Sequence, residues 1–440
     1  MSMQDRVMGA GLKVLNRFAG STVVDKLGLR RPSEALLYQS TRAGFSTIAT
    51  AAKLFGAAGK LLKPARLSSR SAGELFDLNP SEEQQMLREA VAQFADEQLR
   101  AAAQQADSAC ATPPELLQAA AELGITLMSL PEELGGAGQE RSAVTNVLVA
   151  EALAHGDLGL AVAILAPAAV ANALVLWGDV EQQSRYLPAF AGAQAPAAAL
   201  AIQEPHALFD PFQLHTTARL DRDGGWLLDG LKSLVPRAAE CALFLVAAHI
   251  EEDGRTGLFL VEAGSKGLSV TAEPAMGLRA AATGQLKLRG VKVPAGALLA
   301  GGDVTVYGDC IALARLGWCA LASGCAQAVL DYLIPYVNGR VAFGEPISHR
   351  QAVAFTVANI AIEREGLRLL TLHAASRAER GDSFIQETAL ARRLAADKGA
   401  QIGSEAVQML GGHGFTKEYP VERWYRDLRA AGIMEGVLLV

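Results

Sequence analysis

QMLGGHGFTKEYPVERWYRDLRAAGIMEG, running from Gln408 to Gly436, is the stretch on which the reading of this chain turns. Gln408 ends a helical run. Gly411, Gly412 and Gly414 follow, then the pair Arg426-Asp427, and a lone Glu435 between Met434 and Gly436. Glycines let a backbone approach a ligand closely. This cluster lacks the strand-before-helix setting of a dinucleotide-binding motif. A glutamate buried on a loop suits proton abstraction, because desolvation raises its pKa and makes it a stronger base.

Outward from that stretch, the chain has 440 residues, enough for two or three domains. Half of it is apolar, aromatics are few and alanine is abundant, which favours a mainly helical protein. The five cysteines (Cys110, Cys241, Cys310, Cys319 and Cys325) form no Cys-x-x-Cys pair. That argues against a disulfide framework or zinc site and points to a reducing, cytoplasmic compartment. The seven histidines show no metal-ligand spacing, so no metal is expected. Residues 1–70 carry 12 basic and 3 acidic groups, a net of +9, which leaves −15 for the remainder of a chain whose net charge is −6. An acidic body excludes a nucleic-acid binder. The reading finds no run of about 18 apolar residues, and hence no transmembrane helix.

Four segments are expected. Residues 1–72 form a basic, helix-prone extension, suited either to an arm on the body or a partner subunit, or to peripheral contact with an anionic membrane. Residues 78–195 read as an N-terminal α domain, with Asn79 as a cap and Pro80 at the first helical position. Residues 196–302 read as a middle β domain. Alternating runs around Asp223-Gly224-Gly225 signal a hairpin, and CALFLVAAHI and TGLFLVEA signal buried strands. Residues 303–440 return to long helices that suit a bundle. The fold class is therefore mainly α with an inserted β domain.

The opening stretch resembles the C-terminal signature of the acyl-CoA dehydrogenase flavoproteins, and the resemblance covers roughly residues 78–440. It implies an N-terminal helical domain, a middle β-barrel-like domain and a C-terminal four-helix bundle. It also implies FAD-dependent α,β-dehydrogenation of an acyl-CoA to the trans-2-enoyl-CoA, in fatty acid metabolism. Glu435 would remove the α proton, and its backbone N–H would help hold the thioester carbonyl. Some members carry the base on an earlier helix, at a position that is Ala314 here; alanine cannot serve, which leaves Glu435. The neighbouring Arg315, with Gly436, is a candidate substrate contact. RVAFGEPISHRQ, Arg340 to Gln351, resembles the family's segment that meets the FAD of a neighbouring subunit. Arg340, Phe343, Gln351, Gln408, Gly411 and Gly412 would hold the adenosine half; the planar fork of arginine suits pyrophosphate. Met276–Pro294 matches too, placing Arg279 and Thr283 near FAD. The implied partners are an electron-transfer flavoprotein or similar acceptor and further copies of the chain, as homodimer or homotetramer.

The flavin-ring half departs from the family pattern. In QEPHALFD, Gln203 to Asp210, Gln203 stands for a threonine, and Leu208 and Phe209 for glycine and serine. In KSLVPR, Lys232 to Arg237, Leu234 stands for the tryptophan that walls the flavin. Pro236 replaces a threonine that bonds it and has no side-chain donor. Gln203 and Pro236 are thus ring-side candidates with altered chemistry. Two further readings follow: a degenerate, non-catalytic subunit that pairs with an active dehydrogenase, or another reaction on the same fold, such as oxygen-dependent oxidation or flavin-free α-proton chemistry.

Overall fold

Ser81 starts the first helix. Its hydroxyl accepts the Gln84 N–H at 3.1 Å and the Gln84 side chain accepts the Ser81 N–H at 3.0 Å, a reciprocal cap. The cap is therefore Ser81, not Asn79, and Pro80 precedes the helix. The polar pair Ser81 and Gln84 outcompetes the Asn-Pro signal because it satisfies two orphan N–H groups at once. The structure, a computed structural model, describes residues 80–136, 142–192, 195–273 and 275–436. The expectations for residues 1–72 lie outside the described residues, as does Asn79.

Helix α1 (Glu82–Phe94) continues through a π-turn at Ala95–Leu99 into α2 (Arg100–Ala109). Then come α3 (Pro114–Glu122), α4 (Ala143–Gly156), α5 (Leu158–Trp177) and α6 (Val180–Phe190). Asp157 ends α4 and caps α5 by accepting the Leu160 N–H at 2.9 Å. Helix α5 bears on the expectation that no helix crosses a membrane. It is 20 residues long with a mean hydropathy of 2.2, apolar enough to cross a membrane by length and composition alone. Thirteen of its residues are buried within the protein, against β1, α4, α6 and α7, so its apolar surface serves the core.

The middle sheet contains β1 (Ala198–Ala201), β2 (Thr217–Leu220), β3 (Trp226–Val235), β4 (Leu243–Ile250), β5 (Thr256–Glu262), β6 (Leu268–Ala272) and β7 (Gly284–Val293). Its order is β1-β4-β2-β3-β7-β6, with β5 on β4. The Asp223-Gly224-Gly225 turn joins β2 to β3, with Leu220 opposite Trp226. β3 is bulged twice against β7, the second time between Lys232 and Val235. That bulge lies beside the site described below.

Three long helices follow: α7 (Val304–Gly339), α8 (Gln351–Glu379) and α9 (Ile385–Leu410), joined by the short α10 (Val421–Asp427). A two-stranded turn, β8 (Val341–Ala342) with β9 (Glu345–Pro346), separates α7 from α8. α7 packs on α4, α8 and α9 and carries the largest core. Arg426 and Asp427 of the opening stretch are cross-links between segments. Arg426 forms a paired contact with Asp107 at 2.8 and 2.9 Å, and Asp427 accepts the Leu278 N–H at 2.7 Å. Nearby, Arg423 donates to Asp157 at 2.9 Å. Burial, with Asp157 close by, pushes the Asp427 carboxyl upward.

Candidate active site

Glu435 sits in a tight turn beyond α10, in the left-handed region with φ 52°. A non-glycine residue there is strained and must be held by its surroundings. Two arginines do this. Arg315 of α7 donates Nε and Nη2 to the Glu435 carbonyl at 3.1 and 2.7 Å. Arg392 of α9, itself buried, donates to the Met434 carbonyl at 2.6 Å and also to that of Gly436. Three successive carbonyls are thus fixed by two guanidinium groups. Gly436, at φ 98°, completes the turn; a Cβ there would lie 2.5 Å from Pro211 Cδ.

The Glu435 side chain is 7 % exposed. Burial pushes its carboxyl up to about 7, while Arg392, Arg315 and a hydrogen bond with Trp318 pull the other way. Its Oε2 is buried with no hydrogen-bond partner. A carboxylate oxygen with free lone pairs, close to neutrality in pKa, is equipped to take a proton. It faces a cavity of about 240 Å³ whose lining is mostly apolar, from α4, α5, α7, Leu200, Pro236 and Met434, with Asn146 and Asn172 among it.

The ring-side candidates lie around this cavity and the adjoining loop. Pro236 lines the cavity. Gln203 is buried, and its Oε1 has no partner. Its neighbour Glu204 accepts from Lys232 Nζ at 2.8 Å and from the His215 and Thr216 N–H groups at 2.8 and 2.9 Å. Burial alone would raise Glu204, but these partners hold it at about 2; burial also draws the fully buried Lys232 down to about 8. The ligand atoms of Glu204, His206 and His215 lie within 4.8 Å of one another, a gathering that spacing along the chain did not suggest. Lys232 already neutralises the carboxylate, and the two imidazoles stack with centroids 4.4 Å apart.

Phe209 is fully buried in the core that also contains Phe190 and Tyr307, so its ring serves packing. Leu234 adopts φ 52° within the second bulge of β3. Glu273 pins that bulge, accepting from Ser233 Oγ and the Leu234 N–H, each at 2.6 Å. Thr283 Oγ1 reaches the Glu273 carbonyl at 3.4 Å. Arg279 donates to the Asp107 carbonyl at 3.0 Å, a structural tie between the middle sheet region and α2.

The adenosine-half candidates gather elsewhere. Tyr336, one turn before Arg340, bonds His413 Nδ1 at 3.1 Å, which brings the end of α7 to the glycine loop after α9. Arg340, Gln351, Gln408, Gly411 and Gly412 are all exposed there, and Phe343 is 97 % exposed. Arg340 follows Arg315 by 25 positions along α7, roughly 37 Å of helix at ~1.5 Å per residue. The structure therefore separates these residues from Glu435 of the same chain.

Sequence reasoning missed Arg392 and Trp318. The signal for Arg392 was present: with Thr388, Ala391, Ala395, Gly399 and Ile402 it shares the buried phase of α9. A charge in that phase needs a partner. Trp318 gave no such sign, since an aromatic residue in an apolar helix reads as core.

Family models match in three parts: "Acyl-CoA dehydrogenase, N-terminal domain" at residues 81–194, the middle domain at 199–291 and the C-terminal domain at 304–438. The chain is 31% identical to an acyl-CoA dehydrogenase of Bacillus subtilis (strain 168), over 82% of this chain and 96% of that protein. It is 32% identical to the mitochondrial short-chain specific acyl-CoA dehydrogenase of Bos taurus, over 81% of this chain and 87% of the relative. Among solved structures it resembles butyryl-CoA dehydrogenase from Megasphaera elsdenii, with a TM-score of 0.77, 29% identity, and coverage of 83% of this chain and 97% of the other.

Proposed function

The chain belongs to the acyl-CoA dehydrogenase family, whose members are FAD flavoproteins, and from that premise we propose that it oxidises an acyl-CoA thioester to the trans-2-enoyl-CoA with Glu435 as the α-proton base. The observation that carries this reading is the unpartnered, buried Oε2 of Glu435 at the apolar cavity. Bound FAD supplies the acceptor for the β hydride. The residues present fit it. The orphaned Gln203 Oε1 is a buried acceptor awaiting a donor, and Pro236 lines the same cavity as Glu435.

The protein's own groups prepare the proton transfer. The Arg315 and Arg392 clamps fix the backbone of Glu435 so that its carboxylate keeps one orientation toward the acyl group. The apolar lining excludes water, which keeps the carboxylate poorly solvated and therefore more basic. Removing an α proton costs least when the base is held in contact geometry before reaction.

The exposed set around Arg340 supports a homo-oligomer, because residues so far along α7 from Glu435 reach a cofactor only on another copy. Phe355, Ile362 and Leu369 form an exposed apolar row at two-turn spacing on α8, a surface suited to that contact. The electron acceptor we propose, on family grounds, is an electron-transfer flavoprotein or a similar carrier. Anaerobic addition of acyl-CoA to the FAD-loaded protein tests the reading. Bleaching of the flavin supports it, whereas stable yellow colour favours the non-catalytic subunit.

A further inference from the structure

The cavity beside Glu435 also speaks to the acyl group. On α5 its lining runs from Val162 to Trp177, 15 positions and roughly 22 Å at ~1.5 Å per residue. On α7 it runs from Cys310 to Leu321, roughly 16 Å by the same rise. Small residues make room: Ala166, Ala169 and Ala173 on α5 line it together with Ala314 and Gly317 on α7. Gly317 has open space where its Cβ would stand, with no atom within 4 Å. Glu435 itself lines the cavity, so the α carbon of a substrate lies within this span. Whichever way the tail points, the longer arm from Glu435 is at least about half of the α5 span, roughly 10 Å. An extended hydrocarbon with bonds of ~1.5 Å and angles of ~111° advances ~1.25 Å per bond, so that arm takes about eight bonds.

We propose that this site is built for acyl chains of about eight carbons or more, and that a four-carbon acyl group fills only part of it. The proposal rests on the dehydrogenase reading above. Empty apolar space beside a short chain forfeits contacts that a longer chain recovers. Each methylene moved from water into such a lining raises affinity about fourfold.

The test uses alkyl-CoA thioethers, which lack the carbonyl and undergo no dehydrogenation, so binding is read without turnover. Calorimetry on the full-length FAD-loaded protein with butyl-, octyl- and dodecyl-CoA should show affinity rising at least tenfold from butyl to octyl. A flat or falling series overturns the proposal. It leaves Glu435 untouched as the base, while failed turnover with normal thioether binding would indict Glu435 and spare the chain-length inference. Two variants then locate the tail. α4 and α5 turn back at Asp157, so Ala150 lines the cavity near that turn and Ala173 lines it far from the turn. One of Ala150→Leu and Ala173→Leu should lower the dodecyl-to-butyl affinity ratio at least tenfold. If both fold and neither lowers the ratio, the cavity does not hold the tail.

Discussion

Glu435 takes an ordinary carboxyl into a place where its ionised form is poorly solvated, and this has a cost in stability as well as a use in chemistry. The folded-state value of about 7 lies above the ordinary 4.5. The protonated form therefore favours the fold, and stability falls as pH rises from the unfolded value toward the folded one, then levels off. A shift of that size corresponds to roughly 3 kcal/mol, an upper figure for one buried group. Glu435→Gln should accordingly stabilise the protein by about 1–3 kcal/mol at pH 8, with the gain shrinking toward pH 4.5. Denaturant melts at the two pH values check this. A variant less stable than wild type at pH 8 would mean that the carboxylate is well partnered. At this scale the sequence was legible where one residue type has one chemical use, as with Glu435. For Arg392 the sequence showed only a charge in the buried phase of α9; its role comes from two carbonyls, of Met434 and Gly436, brought to it by a turn 42 to 44 positions away.

The bulge in β3 is the element on which the proposed flavin site turns. Its second irregularity, between Lys232 and Val235, places Leu234 at a left-handed position and is tied down by Glu273. KSLVPR does not announce a bulge, because the extra residue shifts the two-residue alternation only at the strand's last positions, where too little strand follows to show the new phase. The hairpin at Asp223-Gly224-Gly225 was legible for the opposite reason: its turn chemistry is local. Helix α5 was read as one of the helices of the N-terminal domain; Pro167 and Asn172 break its strict apolar count, while the summed hydropathy over the helix remains high. With Leu234 and Pro236 in place of a wall and a donor, the flavin pocket should be loose. The double change Leu234→Trp with Pro236→Thr should tighten FAD binding about tenfold or more, the scale of one added hydrogen bond at ~1 kcal/mol plus aromatic contact. Lower FAD content in that variant would show that the bulge has been rebuilt around its present residues.

At the scale of the whole molecule, the mainly α architecture with its inserted sheet follows from alanine-rich helical periodicity on either side of alternating strands. What one chain cannot announce is which of its surfaces completes another copy's site. The separation between Glu435 and Arg340 along α7 is what supports the proposed sharing of a site between copies. Arg340→Ala should weaken FAD retention by about 1.5–3 kcal/mol, the range for a hydrogen bond to a charged group, while the rate per bound flavin changes little. Dilution that dissociates the oligomer should release FAD as well; normal retention in the variant or in the dissociated protein would remove Arg340 from the cofactor site. The most direct test of Glu435 as the base is anaerobic rapid mixing of FAD-loaded wild type and Glu435→Gln with octanoyl-CoA, following flavin absorbance. Wild type should bleach, faster as pH rises through about 7. The variant should keep its FAD and fold yet reduce it at least a hundredfold more slowly, within the usual range for loss of a positioned base. Reduction by the variant at more than about a tenth of the wild-type rate, a barrier change under ~1.4 kcal/mol, would contradict the assignment and place the base on another residue.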